Sequence, residues 1–305
     1  MDRIFNINKP TGMTSHDVVY KVRKILKTKK VGHTGTLDPD AQGVLPICVG
    51  RATKISDLIL NKEKEYICEL TLGIETDTYD SSGEILKECD VSHITEEDVK
   101  KAIDSQLGDI MQYPPIYSAL KVNGKKMCDL ARSGRANEIE IKARPVRINF
   151  IEILNMEIPK VKIRVSCSKG TYVRSICHDI GAVLGVGASM SYLQRTKSGI
   201  FDIERAITLE ELEKYRDENR LMEVSYSVEE VLLEFPYLIL HENAVKYYSN
   251  GGKIEERRFI EGNYKDSLSK RVRVYSNEKE FIGVGILNKE DKDLMVKSEK
   301  IFKLG

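Results

Sequence analysis

"GHTGTLDPDAQGVLP", residues 32–46, carries three glycines, two prolines and two carboxylates in fifteen positions. Pro39 drives Asp38 toward an extended backbone and fixes the direction in which the chain leaves it. Gly32 and Gly35 permit tight turns before that point, and Gly43 permits one after it. "VLPICVG", residues 44–50, then runs on as an apolar stretch that belongs in a core. Asp38 is therefore expected on a stiff turn between buried anchors. Asp40, beyond the proline, reads as a turn residue or a helix cap. Asp38 itself reads either as a turn cap or as a chemical group for which the loop is shaped.

The familiar phosphate cradles do not match. A P-loop needs G-x-x-x-x-G-K-[ST], and "GHTGTLDPDAQG" lacks the Lys-Ser/Thr ending. The dinucleotide fingerprint G-x-G-x-x-G is absent. "DPD" supplies the D-x-D of an aspartyl-phosphate site, but the residues before it are "GHTGT" rather than a buried apolar strand. Phosphotransfer would also demand metal-dependent phosphate release, which an assay for that release tests.

Outward from the loop, "SHDVVYKVRKIL" places Val18, Val19, Val22, Ile25 and Leu26 at helical spacing, with Ser15 as a candidate N-cap. Its other face holds Lys21, Lys24 and Lys27, "KTKK" follows, and no acid interrupts residues 18–37. That run is either a solvated helix face or an edge that contacts phosphates. "YICELTLG" alternates as a strand, with Tyr66, Cys68, Leu70 and Leu72 on one side. "TEEDVKKAIDSQLG" reads as a helix capped at Thr95 and closed at Gly108, and "TLEELEKYRDEN" as one with a capping box at Thr208 and Glu211. "VRINFIEILNMEI" and "KVKIRVSCS" read as strands around the turn at 159–160, followed by a helix over "TYVRSICHDIGAVLG".

After "EFPYLIL" the pattern changes to short strands, "RVRVYS", "FIGVGIL" and "LMVKS", between polar turns. The expected architecture is α+β: a mixed, mostly antiparallel domain over 1–238, then a small β module over 239–305. With 305 residues, 41% of them hydrophobic and 31% charged, the composition is that of an ordinary globular protein with a sizeable core. The six cysteines form no C-x-x-C pair, which points to free thiols in a reducing cytoplasm and away from zinc. No apolar run approaches a membrane span. The formal net charge is +1, yet residues 1–60 carry ten Lys/Arg against five acids, a local positive excess.

The loop and its surroundings resemble the tRNA pseudouridine-55 synthases of the TruB type. "GHTGTLDPDAQGVLPICVGRATK" is similar to that family's catalytic motif, and "NKPTGMTSHD" to its lysine-proline motif. "KEYICELTLGIETDTYDSSG" resembles its tyrosine strand and following loop, and "PPIYSALKVNGKKMCDLARSGR" its "PP-x-x-SALK" segment. "SKGTYVRSICHDIG" and "YLQRTKSGIF" resemble its arginine and leucine motifs. The order is the family's, and the resemblance spans nearly the whole chain. Cys128 stands where the family usually has tyrosine, and Ala143 where an acid is common.

The resemblance implies isomerisation of a uridine to pseudouridine in the tRNA T loop, at position 55, with no cofactor and no metal. The C1′–N1 bond breaks, the flipped base turns, and C1′–C5 forms. Asp38 is implied as the nucleophile or base; attack on C6, attack at C1′ and removal of a C2′ proton all need an ionised carboxylate. A carboxylate held in protein protonates unless a cation partners it. Arg174 is the implied partner, in a helix first turn where the dipole disfavours a cation. Tyr66 is implied against the target base, with Tyr172 and Leu193 walling the same pocket. His33 is implied within the opened T loop, and Lys9 with Pro10 as support for the catalytic loop. The 239–305 module resembles an RNA-binding PUA domain. The partner is then the tRNA T arm, and the chain is expected to act as a stand-alone, monomeric, cytoplasmic enzyme. The alternatives are a synthase for another RNA and a non-catalytic RNA-binding protein of the same fold, which need not keep Asp38.

Overall fold

The alternation in "KEYICELTL" is realised as a strand, Lys64–Leu72, in which every second residue from Lys64 to Leu72 is buried. The computed structural model describes residues 1–122, 124–135, 140–290 and 293–302 and sets this strand inside a ten-stranded sheet. In chain order its strands are β1 (Arg3–Lys9), β2 (Val31–His33), β3 (Gln42–Val49), β4 (Lys64–Leu72) and β5 (Gly108–Gln112). Then come β6 (Arg144–Glu157), β7 (Lys160–Cys167), β8 (Ala188–Ser198), β9 (Phe201–Asp202) and β10 (Ser225–Ser227). The spatial order is β10-β1-β3-β8-β4-β7-β6-β5, with β2 added on β3 and β9 on β8. Its pairs are antiparallel apart from β3 with β8, which run parallel through Gln42–Gln194 and Gly43–Arg195.

That parallel contact explains one glycine. Gly43 has φ 105°, and a Cβ there would meet the Arg195 carbonyl oxygen at 2.2 Å. Only glycine lets β3 leave the loop this close to β8.

The helices α1 (Ser15–Ile25), α2 (Glu96–Asp104), α3 (Val173–Leu184) and α4 (Leu209–Asp217) follow the apolar spacing of the sequence. Val99, Ala102, Ile176, Cys177 and Ile180 from α2 and α3 pack on Cys68, Leu70, Ile163 and Val165 of the sheet. Val18, Val22 and Leu212 from α1 and α4 pack on Phe5, Ile7, Leu45 and Ile47. Two helix ends differ from expectation. α1 is capped by Thr14, in a capping box with Asp17, and not by Ser15, whose hydroxyl is used elsewhere. α2 ends at Asp104, so Gly108, φ 85°, opens β5 instead of closing the helix.

A second, six-stranded sheet begins at Tyr237. Its strands are β11 (Tyr237–Leu240), β12 (Lys253–Glu255), β13 (Phe259–Gly262), β14 (Arg271–Tyr275), β15 (Phe281–Glu290) and β16 (Asp293–Ile301). They lie in the order β12-β16-β15-β14-β11-β13. "FIGVGIL" lies in its long strand β15. Val284 and Phe302 join Ile4, Val44, Cys48 and Phe201 in one apolar cluster, so the two sheets share core. Lys54 Nζ donates to the Ile301 carbonyl at 2.6 Å, and Lys300 pairs with Asp57 at 3.0 Å. All six cysteines are free thiols. Among the described residues no helix is long and apolar enough to cross a membrane.

Candidate active site

Between β2 and β3 the loop of residues 34–41 is held from three sides. Ser15, buried at the start of α1, accepts from the Leu37 amide at 2.9 Å and donates to the Leu37 carbonyl at 3.2 Å. The Gly12 amide donates to the Pro39 carbonyl at 2.9 Å. Lys9 is fully buried at the end of β1, and its ammonium donates to three carbonyls: Pro10 at 2.8 Å, Met13 at 2.6 Å and Pro39 at 3.0 Å. Burial brings the Lys9 pKa down to about 8, against the pull of Asp40 and Asp38. Asp38 lies between the clamped residues Leu37 and Pro39. Its backbone is fixed by these neighbours, and its side chain is left for other work.

That side chain meets α3. Arg174 Nε lies 3.0 Å from Asp38 Oδ2; the arginine side chain is 6% exposed and the aspartate 40%. The rest of the guanidinium is spoken for. Nη1 donates to the Thr78 carbonyl at 3.1 Å and lies 3.3 Å from Asp80 Oδ2, and Nη2 donates to the Tyr117 carbonyl at 3.1 Å. Loss of water pushes the Asp38 carboxyl above its ordinary value of 3.8; Arg174 opposes that push, and Asp80 and Asp40 add to it. The group is thus a carboxylate with an open face, kept ionisable chiefly by the buried Arg174, with a smaller contribution from Lys9. Asp40 is an exposed turn residue.

Two strands and the start of α3 carry the neighbouring residues. Tyr66 on β4 is buried, and Leu193 on β8 belongs to the same apolar cluster. Burial raises the Tyr66 hydroxyl above 10, and Asp38 contributes to that rise. Tyr172 caps α3 without a side-chain cap of its own. Gln112, buried at the end of β5, supplies the missing partners: its Oε1 accepts from the Tyr172 amide at 2.9 Å, and its Nε2 donates to the Tyr172 carbonyl at 3.1 Å. The Tyr172 hydroxyl is raised by burial and lowered by a hydrogen bond with Ser118. His33 stands apart from this group. Its Nδ1 accepts from the Gly35 amide at 3.4 Å, and its ring meets His16 edge-on at 5.3 Å. Burial lowers its pKa, which favours the neutral ring. Pro10 is exposed, and its contribution is the carbonyl offered to Lys9.

Comparison with known proteins gives the arrangement a family. A model described as TruB family pseudouridylate synthase (N terminal domain) matches residues 23–173. One described as tRNA pseudouridylate synthase B C-terminal domain matches residues 174–233. A protein of Clostridioides difficile named tRNA pseudouridine synthase B is 59% identical over 302 residues, covering 99% of this chain and 100% of that one. The chain belongs to the TruB family of pseudouridylate synthases.

A Clostridium kluyveri protein of the same name is 46% identical over 99% of this chain and 100% of its own. Among solved structures, an H/ACA ribonucleoprotein bound to a substrate RNA containing 2′-deoxyuridine aligns with a TM-score of 0.75 at 26% identity, over 99% of this chain and 85% of that one. In this TruB-family site the residues named from sequence, Asp38, Arg174, Tyr66, Tyr172, Leu193, Lys9 and Pro10, gather around one loop. Sequence reading missed Asp80, Ser15 and Gln112. "TDTYDSSG", with two acids before a glycine, was a signal for Asp80. Nothing local marked Ser15, which reads as a helix cap, or Gln112, which reads as the last residue of a strand. Arg174 meets Asp38 through Nε, while both terminal nitrogens donate to other acceptors.

Proposed function

We propose that this chain isomerises the uridine at position 55 in the tRNA T loop to pseudouridine, with Asp38 as the group that starts the reaction. The observation that carries this reading is the Asp38–Arg174 contact at 3.0 Å inside a loop clamped on both sides of the aspartate. A protein that only bound RNA would not need an open-faced carboxylate set against a buried cation. A nucleophile or base needs both the charge and the fixed direction.

When C1′–N1 breaks, its electron pair leaves with the base. The base turns, C5 bonds to C1′, the C5 hydrogen departs as a proton, and N1 gains one. Substrate and product are isomers, so no redox partner or cofactor enters. Arg174 favours the ionised Asp38, while Asp80 and the Thr78 and Tyr117 carbonyls stop the guanidinium from turning away. Tyr66, Leu193 and Tyr172 form the slot for the extruded uracil. Taking a base out of a folded loop costs a few kcal/mol, and an inserted neutral His33 replaces lost stacking. Lys9 and Pro10 support the loop. The basic face of α1 and the module over 239–305 grip phosphates of the T arm. The chain works as a monomer in the cytoplasm.

The tRNA reading is favoured over another RNA substrate. Full-length relatives carrying the tRNA name reach 59% identity, whereas the H/ACA protein stands at 26%. The test is incubation of the protein with unmodified tRNA, followed by carbodiimide treatment and primed reverse transcription. One new stop, reporting position 55 and absent with Asp38→Asn, is the expected result. No stop, or stops scattered over the molecule, would overturn the reading.

A further inference from the structure

Arg195 is the bulkiest side chain among the fully buried ones, at 1% exposure. It lies on β8 directly opposite Tyr66 of β4 in the antiparallel ladder, where facing side chains sit about 5 Å apart. Its Nε donates to the Val44 carbonyl at 2.6 Å and its Nη2 to the Gly35 carbonyl at 3.3 Å. Burial raises the pKa of the Tyr66 hydroxyl, and the Arg195 charge opposes that rise. Its described hydrogen-bond partners are thus two carbonyls, not a carboxylate. Its field is felt around it: it helps to bring Lys9 and Lys64 down to about 8, each chiefly through burial, and it helps to lower His33.

A buried cation without an anion is expensive, and an apolar side chain of similar length often packs at lower cost. The charge therefore answers to something that enters the site. On the reading of this site as a pseudouridine synthase, on which this inference rests, what enters is a base that passes through an anion. From the rupture of C1′–N1 until C5 bonds to C1′, the base holds the electron pair of the broken bond. Positive potential aimed at that charge from a dry interior is the kind of aid that lowers a barrier.

We propose that Arg195 is a positioning residue of the isomerase: it orients the Tyr66 hydroxyl and, through it, presents positive potential to the uracil while the base is anionic. Arg195 keeps its proton throughout, and no bond to it forms or breaks. Its bonds to Gly35 and Val44 do a second job, tying the start of the catalytic loop and the start of β3 to the strand that carries Leu193.

A residue that merely staples strands would also matter, so the test separates the two. Arg195→Lys, Tyr66→Phe and the double variant are compared by single-turnover rate at saturating enzyme and by tRNA Kd. In parallel, 3-fluorotyrosine-labelled protein is titrated by 19F NMR, with residue 66 assigned through Tyr66→Phe. Arg195→Lys should slow the wild-type background on the order of 10- to 100-fold, leave Kd within about threefold, and raise the pKa of residue 66. In the Tyr66→Phe background it should cost little more. Losses that multiply across the two sites, or an unmoved titration, would reduce Arg195 to a staple. Arg195→Gln extends the series where it folds; Arg195→Lys carries the test where it does not. Wild-type protein that makes no pseudouridine would overturn the proposed function, while the titration of the free protein would still decide the Arg195–Tyr66 contact.

Discussion

Asp80 Oδ2 lies 3.3 Å from Arg174 Nη1, on a guanidinium whose Nε reaches Asp38. Asp80 is itself held: its Oδ1 accepts from Thr78 Oγ1 at 2.8 Å, the Ser82 amide at 3.0 Å and Ser82 Oγ at 2.6 Å. One carboxylate fixed by its own loop therefore steadies the cation that serves the other. Asp80→Asn should slow single-turnover isomerisation by roughly 10- to 100-fold, with tRNA affinity unchanged. Asp38→Asn should abolish it, and Asp40→Asn should cost far less. Because Asp80 helps to raise the Asp38 carboxyl, the acid limb of the pH–rate profile should also move to lower pH in Asp80→Asn. An acid limb that moved up would show that the steadying of Arg174 outweighs the repulsion.

Arg174→Lys keeps the charge and loses the shape. The arginine serves Asp38, Asp80, Thr78 and Tyr117 with three different nitrogens. A lysine offers one nitrogen on a flexible stem and cannot span that set. The rate should fall severely while tRNA binding holds. In Arg174→Ala, where the charge is gone, the acid limb should shift upward, since Arg174 opposes the burial that raises Asp38. A defect confined to tRNA binding would make Arg174 a phosphate contact instead.

Lys9→Met should uncouple the catalytic loop from β1. Three carbonyls lose their donor at once, and the Pro39 carbonyl, the one next to Asp38, retains only the Gly12 amide. Stability in urea should drop by about 2–4 kcal/mol, in line with buried acceptors left unpaired. The single-turnover rate should fall in a variant that still binds tRNA. An unchanged rate in a destabilised protein would assign Lys9 to folding alone.

His178 offers a pH test on the face of α3 one turn past Arg174. Its ring stacks on Tyr79 at 4.0 Å, its Nδ1 lies 3.2 Å from Asp179, and its Nε2 lies 3.6 Å from Glu75. The hydrogen bond with Asp179 raises its pKa above 6.5, burial opposes this, and Glu75 adds to the rise. A folded pKa above the unfolded one gives stability that is fully present below the unfolded value and is lost as pH rises through the folded value. His178→Gln should therefore cost most below about pH 6, on the order of 0.5–1 kcal/mol, and progressively less above neutrality. A deficit that did not change with pH would leave only the stacking.

Truncation before Tyr237 should destabilise what remains. Val284 and Phe302 complete a cluster with Ile4, Val44 and Cys48, and Asp57 loses Lys300. Buried large side chains contribute about 1.5–3 kcal/mol each, so the melting temperature of 1–236 should fall by many degrees. An unchanged melting temperature would mean that the shared cluster contributes nothing to the first sheet.

Much of this protein is written locally. Alternation along 64–72, the Thr-x-x-acid caps at Thr95 and Thr208, and the glycine after α3 act between neighbours a few residues apart, so they are legible without a fold. The loop at 32–46 is legible for the same reason, because proline and glycine restrict or release their own backbone. The family's motifs added the pairing of Asp38 with Arg174, which no local pattern contains. Tertiary structure decided the rest. Ser15 looks like a cap until β2 and α1 bring it to Leu37. Asp80 looks like a turn residue until α3 brings Arg174 to it. Arg195 looks like one more charge on a strand until the parallel contact of β3 with β8 closes over it. Each of these roles joins residues about 20 to 160 positions apart, and strand order and register, not neighbouring residues, determine which distant groups share a few ångströms of dry space.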